Sequence, residues 1–299
     1  MDTVKRLLRQ WPFAPLAPLP TDAVPSGALQ NPVAAVLFDV YGTLLVSAAG
    51  DIGTAAPAPA IDWSAAGRCL TPERGLPGDA LTMGMRLQRR IAEAHRRQRD
   101  RGIDVPEVHI ERIWMDLLHT GDLETARRVA LVYELTVNPV WPMPDALALL
   151  ETCRRNGLTL GIVSNAQFYT PLVLEHLLGQ DLESLGMAPE MQIFSYRLGR
   201  AKPSPMLFAS ACDALASVGI APGEALYIGN DMLNDVRAAR RAGMQTALFA
   251  GDARSLRLRS DDPRCRGLKP DLVITALGQL PAHLSSGGDS IPGGGEQGE

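Results

Sequence analysis

Six short apolar runs of β-type residues, at 33–38, 158–164, 191–195, 225–228, 245–249 and 272–274, are separated by stretches of helical periodicity. That alternation predicts an α/β fold: a parallel sheet with helices on both faces. The crossover helices are legible too. Between 144 and 156, Leu147, Leu149 and Leu150 form an apolar face and Gly157 ends the element, and similar patterns run over 205–217 and 234–242.

One stretch breaks the pattern. Between 47 and 142 no strand is convincing, and the helices are charged, with Arg86, Arg89, Arg90, Arg96, Arg97, Arg99 and Arg101 crowded together. It reads as an inserted helical domain, 48–142, hanging over the rim of the sheet as a cap that selects substrates and excludes water. The arginine run reads as a solvated helix face, partly offset by Glu93, Asp100 and Asp104. The remaining boundaries are an N-terminal arm at 1–32, loose and Pro-rich over 11–32, a core at 33–47 and 143–284, and a disordered Gly-rich tail at 285–299.

A chain of 299 residues with 46% hydrophobic content buries a sizeable core, and a net charge of -4 gives no general pull toward nucleic acid or membranes. Cys69, Cys153, Cys212 and Cys265 form no Cys-x-x-Cys pair, and the histidines show no metal-binding spacing. Reduced thiols, no signal-peptide pattern in residues 1–30 and no bilayer-length apolar segment together predict a soluble cytoplasmic protein. Oligomeric state is not legible.

Four segments lie where strands end, the usual rim of α/β chemistry. In the first, the run through Phe38 delivers Asp39 to Val40-Tyr41-Gly42-Thr43, which makes Asp39 the candidate nucleophile; an ordinary turn is the alternative. The second ends in Ser164-Asn165, either a helix cap or a hydroxyl with backbone N–H groups that holds an anionic substrate oxygen. In the third, Lys202 precedes Pro203, as a loop cation or as the point charge that phosphoryl transfer needs. The fourth runs Ile228-Gly229-Asn230-Asp231 and on to Asp235, where paired acids suit either a helix start or a cation. Asp39, Asp231 and Asp235 together put three negative charges in one pocket, which one lysine does not neutralise. An all-oxygen site of that kind suits magnesium.

These segments, in this order, resemble the haloacid dehalogenase superfamily, with the match running from residue 33 to about 274. The resemblance implies a Rossmann-like core and a Mg2+-dependent phosphatase of a small phosphorylated metabolite. Asp39 would form an aspartyl-phosphate, Thr43 and Ser164 would position the phosphoryl group with Asn165 beside them, and Lys202 would stabilise the nucleophile and the transferring charge. Asp231 would bind Mg2+ with Asp39 and the Tyr41 carbonyl, and Asp235 would order a metal-bound water.

Two positions depart from the pattern. Tyr41 stands where such phosphatases carry a second aspartate as general acid and base, and Asn230 stands where they more often read Gly-Asp directly, leaving the metal-ligand register open. Asp-x-Tyr-Gly-Thr is itself the pattern of the 2-haloacid dehalogenase branch, which hydrolyses carbon–halogen bonds through an aspartyl ester. That branch lacks the acid at the Asp231 position, and has a tyrosine where this chain has Phe208. A catalytically weak binding or scaffold protein is the third reading. Past the strand at 245–249, Arg254, Arg257 and Arg259 follow Asp252; Arg257 is the candidate for gripping a second anionic group, against a solvated turn. Phe168 and Tyr169 either face the cap or pack beneath the sheet.

Overall fold

The computed structural model describes residues 1–49 and 80–284; the expected tail at 285–299, residues 50–79 of the expected cap and Cys69 lie outside the described residues. Nine strands are present among them: β1 (Ser26–Gly27), β2 (Ala35–Phe38), β3 (Leu45–Ser47), β4 (Val140–Pro142), β5 (Thr159–Ser164), β6 (Gln192–Phe194), β7 (Ala225–Gly229), β8 (Gln245–Phe249) and β9 (Leu272–Ile274). Seven form one sheet in the order β1-β9-β8-β7-β2-β5-β6, parallel throughout except for β1 against β9. The predicted α/β class is the observed one.

Successive residues of a strand face opposite sides, so one short run feeds two cores. On β2, Val36 and Phe38 join a large cluster with Leu160, Ile162, Leu226 and Ile228 of the neighbouring strands. Ala35 and Leu37 face the other side, with Leu207, Phe208, Ala211 and Leu215 of the helix Pro205–Ser217. Burial on both faces is why these runs are continuously apolar.

The helices Ala80–Arg99, Ile110–Leu118 and Leu123–Val137 fall inside the expected insertion, entered and left through an antiparallel ribbon of β3 and β4. No strand is expected between 47 and 142 from the sequence. A three-residue strand ending in proline carries too little periodicity to read, and its partner lies about ninety residues upstream, Leu45↔Pro142 and Ser47↔Val140.

The arm at 11–32 is not loose. Leu19 N–H donates to Asp252 Oδ1 (3.0 Å), the Thr21 hydroxyl to the Ala250 carbonyl (2.6 Å), and the N–H groups of Gln30 and Asn31 to Gln245 Oε1 (2.8 and 3.0 Å). The prolines set an extended path, and residues at the two ends of β8 supply the partners. Ahead of it, the helix Asp2–Gln10 buries Val4, Leu7 and Leu8 in the main core. The arginines of the helix Ala80–Arg99 are exposed, and Arg89 and Arg90 pair with Glu93 on the same face, as expected of a solvated surface.

Candidate active site

Asp39 is the first residue beyond β2, the strand flanked by β5 and β7, and its N–H continues the ladder onto the Ile228 carbonyl at 2.9 Å. That register sets its carboxylate among the ends of three strands. Lys202 arrives from the loop after β6, where Asn165 accepts its backbone N–H at 2.6 Å. Only 4% exposed, Lys202 Nζ lies 2.9 Å from Asp39 Oδ1, 2.6 Å from Asp235 Oδ1, 3.0 Å from the Tyr227 hydroxyl and 3.2 Å from the Val163 carbonyl. Four partners share three ammonium protons. Burial pulls the ammonium toward neutrality, but Asp235 and Asp39 outweigh it and hold Lys202 above its ordinary value.

Asp235 sits on a π-helical turn, Met232–Arg237, where the chain expected as an ordinary helix start is widened by one residue per turn. Its Oδ2 accepts the Asp231 N–H at 2.9 Å. Gly229 permits this approach, because a Cβ there would lie 2.3 Å from the Asp235 carboxyl carbon. Burial pushes the Asp235 carboxyl up to about 6, Lys202 opposing and Asp39 and Asp231 adding to the rise.

Tyr227 was not among the residues singled out from the sequence. It is buried, its hydroxyl donates to the Val163 carbonyl (2.7 Å), and it stands 3.1 Å from Asp235 Oδ1. Its ring meets Phe208 edge-on with centroids 4.9 Å apart. A signal did exist: it is the one tyrosine in the six apolar runs, and a buried phenol must find a polar partner.

The Thr43 hydroxyl is fully buried and without a hydrogen-bond partner among the described residues. The Ser164 hydroxyl turns to the Asn165 carbonyl at 3.2 Å. Tyr41 points its hydroxyl away to Thr170 Oγ1 (3.0 Å), and burial drives that phenol above its ordinary value, with Glu134 adding to the rise. A phenol so placed is a poor proton donor. Phe168 and Tyr169 are buried, the Arg127 guanidinium stands 5.5 Å above the Phe168 ring, and the Tyr169 hydroxyl donates to Glu134 Oε2 of the helix Leu123–Val137 (3.1 Å).

Asp231 is where the arrangement departs from the expected magnesium set of Asp39, Tyr41, Asp231 and Asp235. Its carboxylate caps the π-turn, accepting the N–H groups of Leu233 (2.8 Å) and Asn234 (3.1 Å). Arg259 holds it from the other side, with Nε 3.1 Å from both oxygens and Nη2 2.5 Å from Oδ2. The residues in this arrangement do not fit the expected ion, because the carboxylate meant to complete its shell already faces a cation.

Asn230 packs on the nucleophile loop instead: a Cβ on Gly42 would lie 2.3 Å from its Nδ2. Arg257 does not reach over the rim as expected of a substrate grip. Its backbone pairs with Asn230 and Met232, and its Nη1 donates to the carbonyls of Arg254 (2.7 Å) and Leu256 (3.1 Å).

The segment following the helix Ala80–Arg99 is stitched to the Lys202 loop. Ala201 N–H donates to the Val105 carbonyl (2.8 Å), Glu107 N–H to the Gly199 carbonyl (3.1 Å) and the Ser195 hydroxyl to Glu107 Oε2 (2.7 Å). The loop that carries the ammonium is thus braced from the insertion as well as from the core.

The family model described as haloacid dehalogenase-like hydrolase matches residues 33–243. The chain is 31% identical over 176 residues to the phosphoserine phosphatase of Thermus thermophilus, covering 57% of this chain and 63% of that protein. It is 32% identical over 124 residues to the glyceraldehyde 3-phosphate phosphatase of Methanopyrus kandleri, covering 40% of this chain and 49% of that one. These matches span less than two thirds of either relative's length. The 2-haloacid dehalogenase structure from Pseudomonas syringae pv. Tomato DC3000 superposes with a TM-score of 0.53 at 20% identity, over 84% of this chain and 98% of that one, a likeness of fold alone.

Proposed function

The chain belongs to the haloacid dehalogenase-like hydrolases, and from that premise we propose that it hydrolyses the phosphate monoester of a small metabolite. The observation that carries the reading is the buried Lys202 ammonium 2.9 Å from the Asp39 carboxylate at the rim of the sheet. Asp39 attacks phosphorus, the P–O bond to the leaving group breaks, and an aspartyl-phosphate forms; water then attacks that phosphorus and returns the carboxylate with inorganic phosphate. Lys202 offsets the charge that builds on the transferring oxygens. The orphaned Thr43 hydroxyl is a donor for one of those oxygens, as are the Ser164 hydroxyl and the N–H groups beside it. The phosphatase relatives support the substrate class.

The test is release of inorganic phosphate from an aryl phosphate by wild type and by Asp39→Asn. Turnover by the wild type that vanishes in the variant is the expected result; equal turnover removes Asp39 as nucleophile. One observation favours a second reading: Tyr41 offers no carboxyl for leaving-group protonation, which halide departure does not require. Halide release from a 2-haloacid, with aryl phosphates left untouched, would decide for that reading.

A further inference from the structure

Three carboxylates around one lysine are the electrostatic reason to expect a divalent ion at this rim, and the tertiary structure changes that count. Arg259, from the loop after β8, brings a second cation, so Asp39, Asp231 and Asp235 face Lys202 and Arg259 together. Its hold on Asp231 is of the two-point kind a guanidinium makes with a carboxylate, with contacts from 2.5 to 3.1 Å. The loop is fixed in place by main-chain bonds: Arg257 N–H donates to the Asn230 carbonyl and Met232 N–H to the Arg257 carbonyl, both at 2.9 Å. Asn230 Nδ2 donates to the Ser255 carbonyl at 2.7 Å, and Arg259 adopts a left-handed backbone (φ 54°).

The residue beside the nucleophile loop is the neutral amide of Asn230, while the acid next to it is turned onto Arg259. We propose that Arg259 serves as the built-in counter-ion of this rim, occupying Asp231 in place of a divalent ion, so that hydrolysis at Asp39 runs without added metal. The inference rests on the hydrolase reading above for its kinetic arm and on binding alone for its other arm.

The experiment titrates metal-stripped wild type, Arg259→Gln and the double variant Asn230→Asp/Arg259→Gln with Mg2+ alone and with Mn2+ alone in a calorimeter, and measures aryl-phosphate turnover with and without excess chelator. A thermal melt of each protein confirms that it is folded. Expected are no saturable Mg2+ or Mn2+ binding by wild type, turnover unaffected by chelator, and saturable sub-millimolar binding of the ion by the double variant. Sub-millimolar Mg2+ binding by wild type overturns the inference. So does chelation that abolishes Asp39-dependent turnover, an outcome that leaves the phosphatase reading standing. A wild type inactive on every phosphate fails that reading instead, and the calorimetry still decides for or against Arg259.

Discussion

At the scale of single residues, the chemistry of this site turns on what position 41 withholds. General acid catalysis contributes roughly 10²- to 10⁴-fold in rate, or about 3 to 5 kcal/mol of barrier. Tyr41 supplies none of it, because its hydroxyl is bonded to Thr170 and burial holds the phenol protonated. Aryl phosphates, whose leaving groups need little help, are therefore expected to turn over at least about 10²-fold faster than alkyl phosphates of similar size. A plot of log kcat/KM against leaving-group pKa checks this, with a steep negative slope expected and the same slope in Tyr41→Phe. A flat plot would reveal another proton donor at the site. Asp39 and Ser164 were identified as polar residues that end apolar runs, and Lys202 as a lysine just ahead of the proline that opens a helix. Arg259 was visible only as one of three arginines in a loop, and nothing in its local pattern distinguishes it from Arg257.

At the scale of elements, the apolar runs predicted as strands were observed within two residues of their expected bounds, because burial on both faces makes a run of aliphatic side chains unmistakable. The misread elements are those whose partners are remote. The helix Asp2–Gln10 packs on the helices Leu123–Val137 and Thr170–Leu178, and Leu8 within it is 2% exposed. Leu8→Ala is accordingly expected to cost about 2 to 5 kcal/mol, read as a lower midpoint in urea at unchanged slope. A change within about 0.5 kcal/mol, the size usual for a surface site, would mean that the helix does not dock in solution. The π-turn at Met232–Arg237 belongs here too: its extra residue puts the Asp235 carboxylate on Lys202 while leaving Asp231 to cap the turn.

At the scale of the whole molecule, stability and pH are linked through carboxyls buried between the insertion and the core. Glu134 accepts from the Tyr169 hydroxyl and Asn138 Nδ2, yet burial outweighs both bonds and raises its carboxyl above the ordinary value. Glu107 is raised in the same way by burial, against its bonds from Ser195, Val108 and Gln167. A carboxyl raised in the folded state binds more protons folded than unfolded, so its contribution is full below the unfolded value and is lost as pH climbs through the folded one. Melting temperature is expected to fall as pH rises out of the ordinary carboxylate range, and to fall less steeply in Glu134→Gln. Equal slopes for the two proteins would show that Glu134 ionises freely in the fold. The sequence by itself determined the α/β class, the strands and the crossover helices, because burial periodicity is a local property of the chain. Only the tertiary structure decided which charges meet. Whether Asp231 faces an ion or a guanidinium depends on a loop that follows it by more than twenty residues, and Coulomb interactions follow distance in space, not separation along the chain.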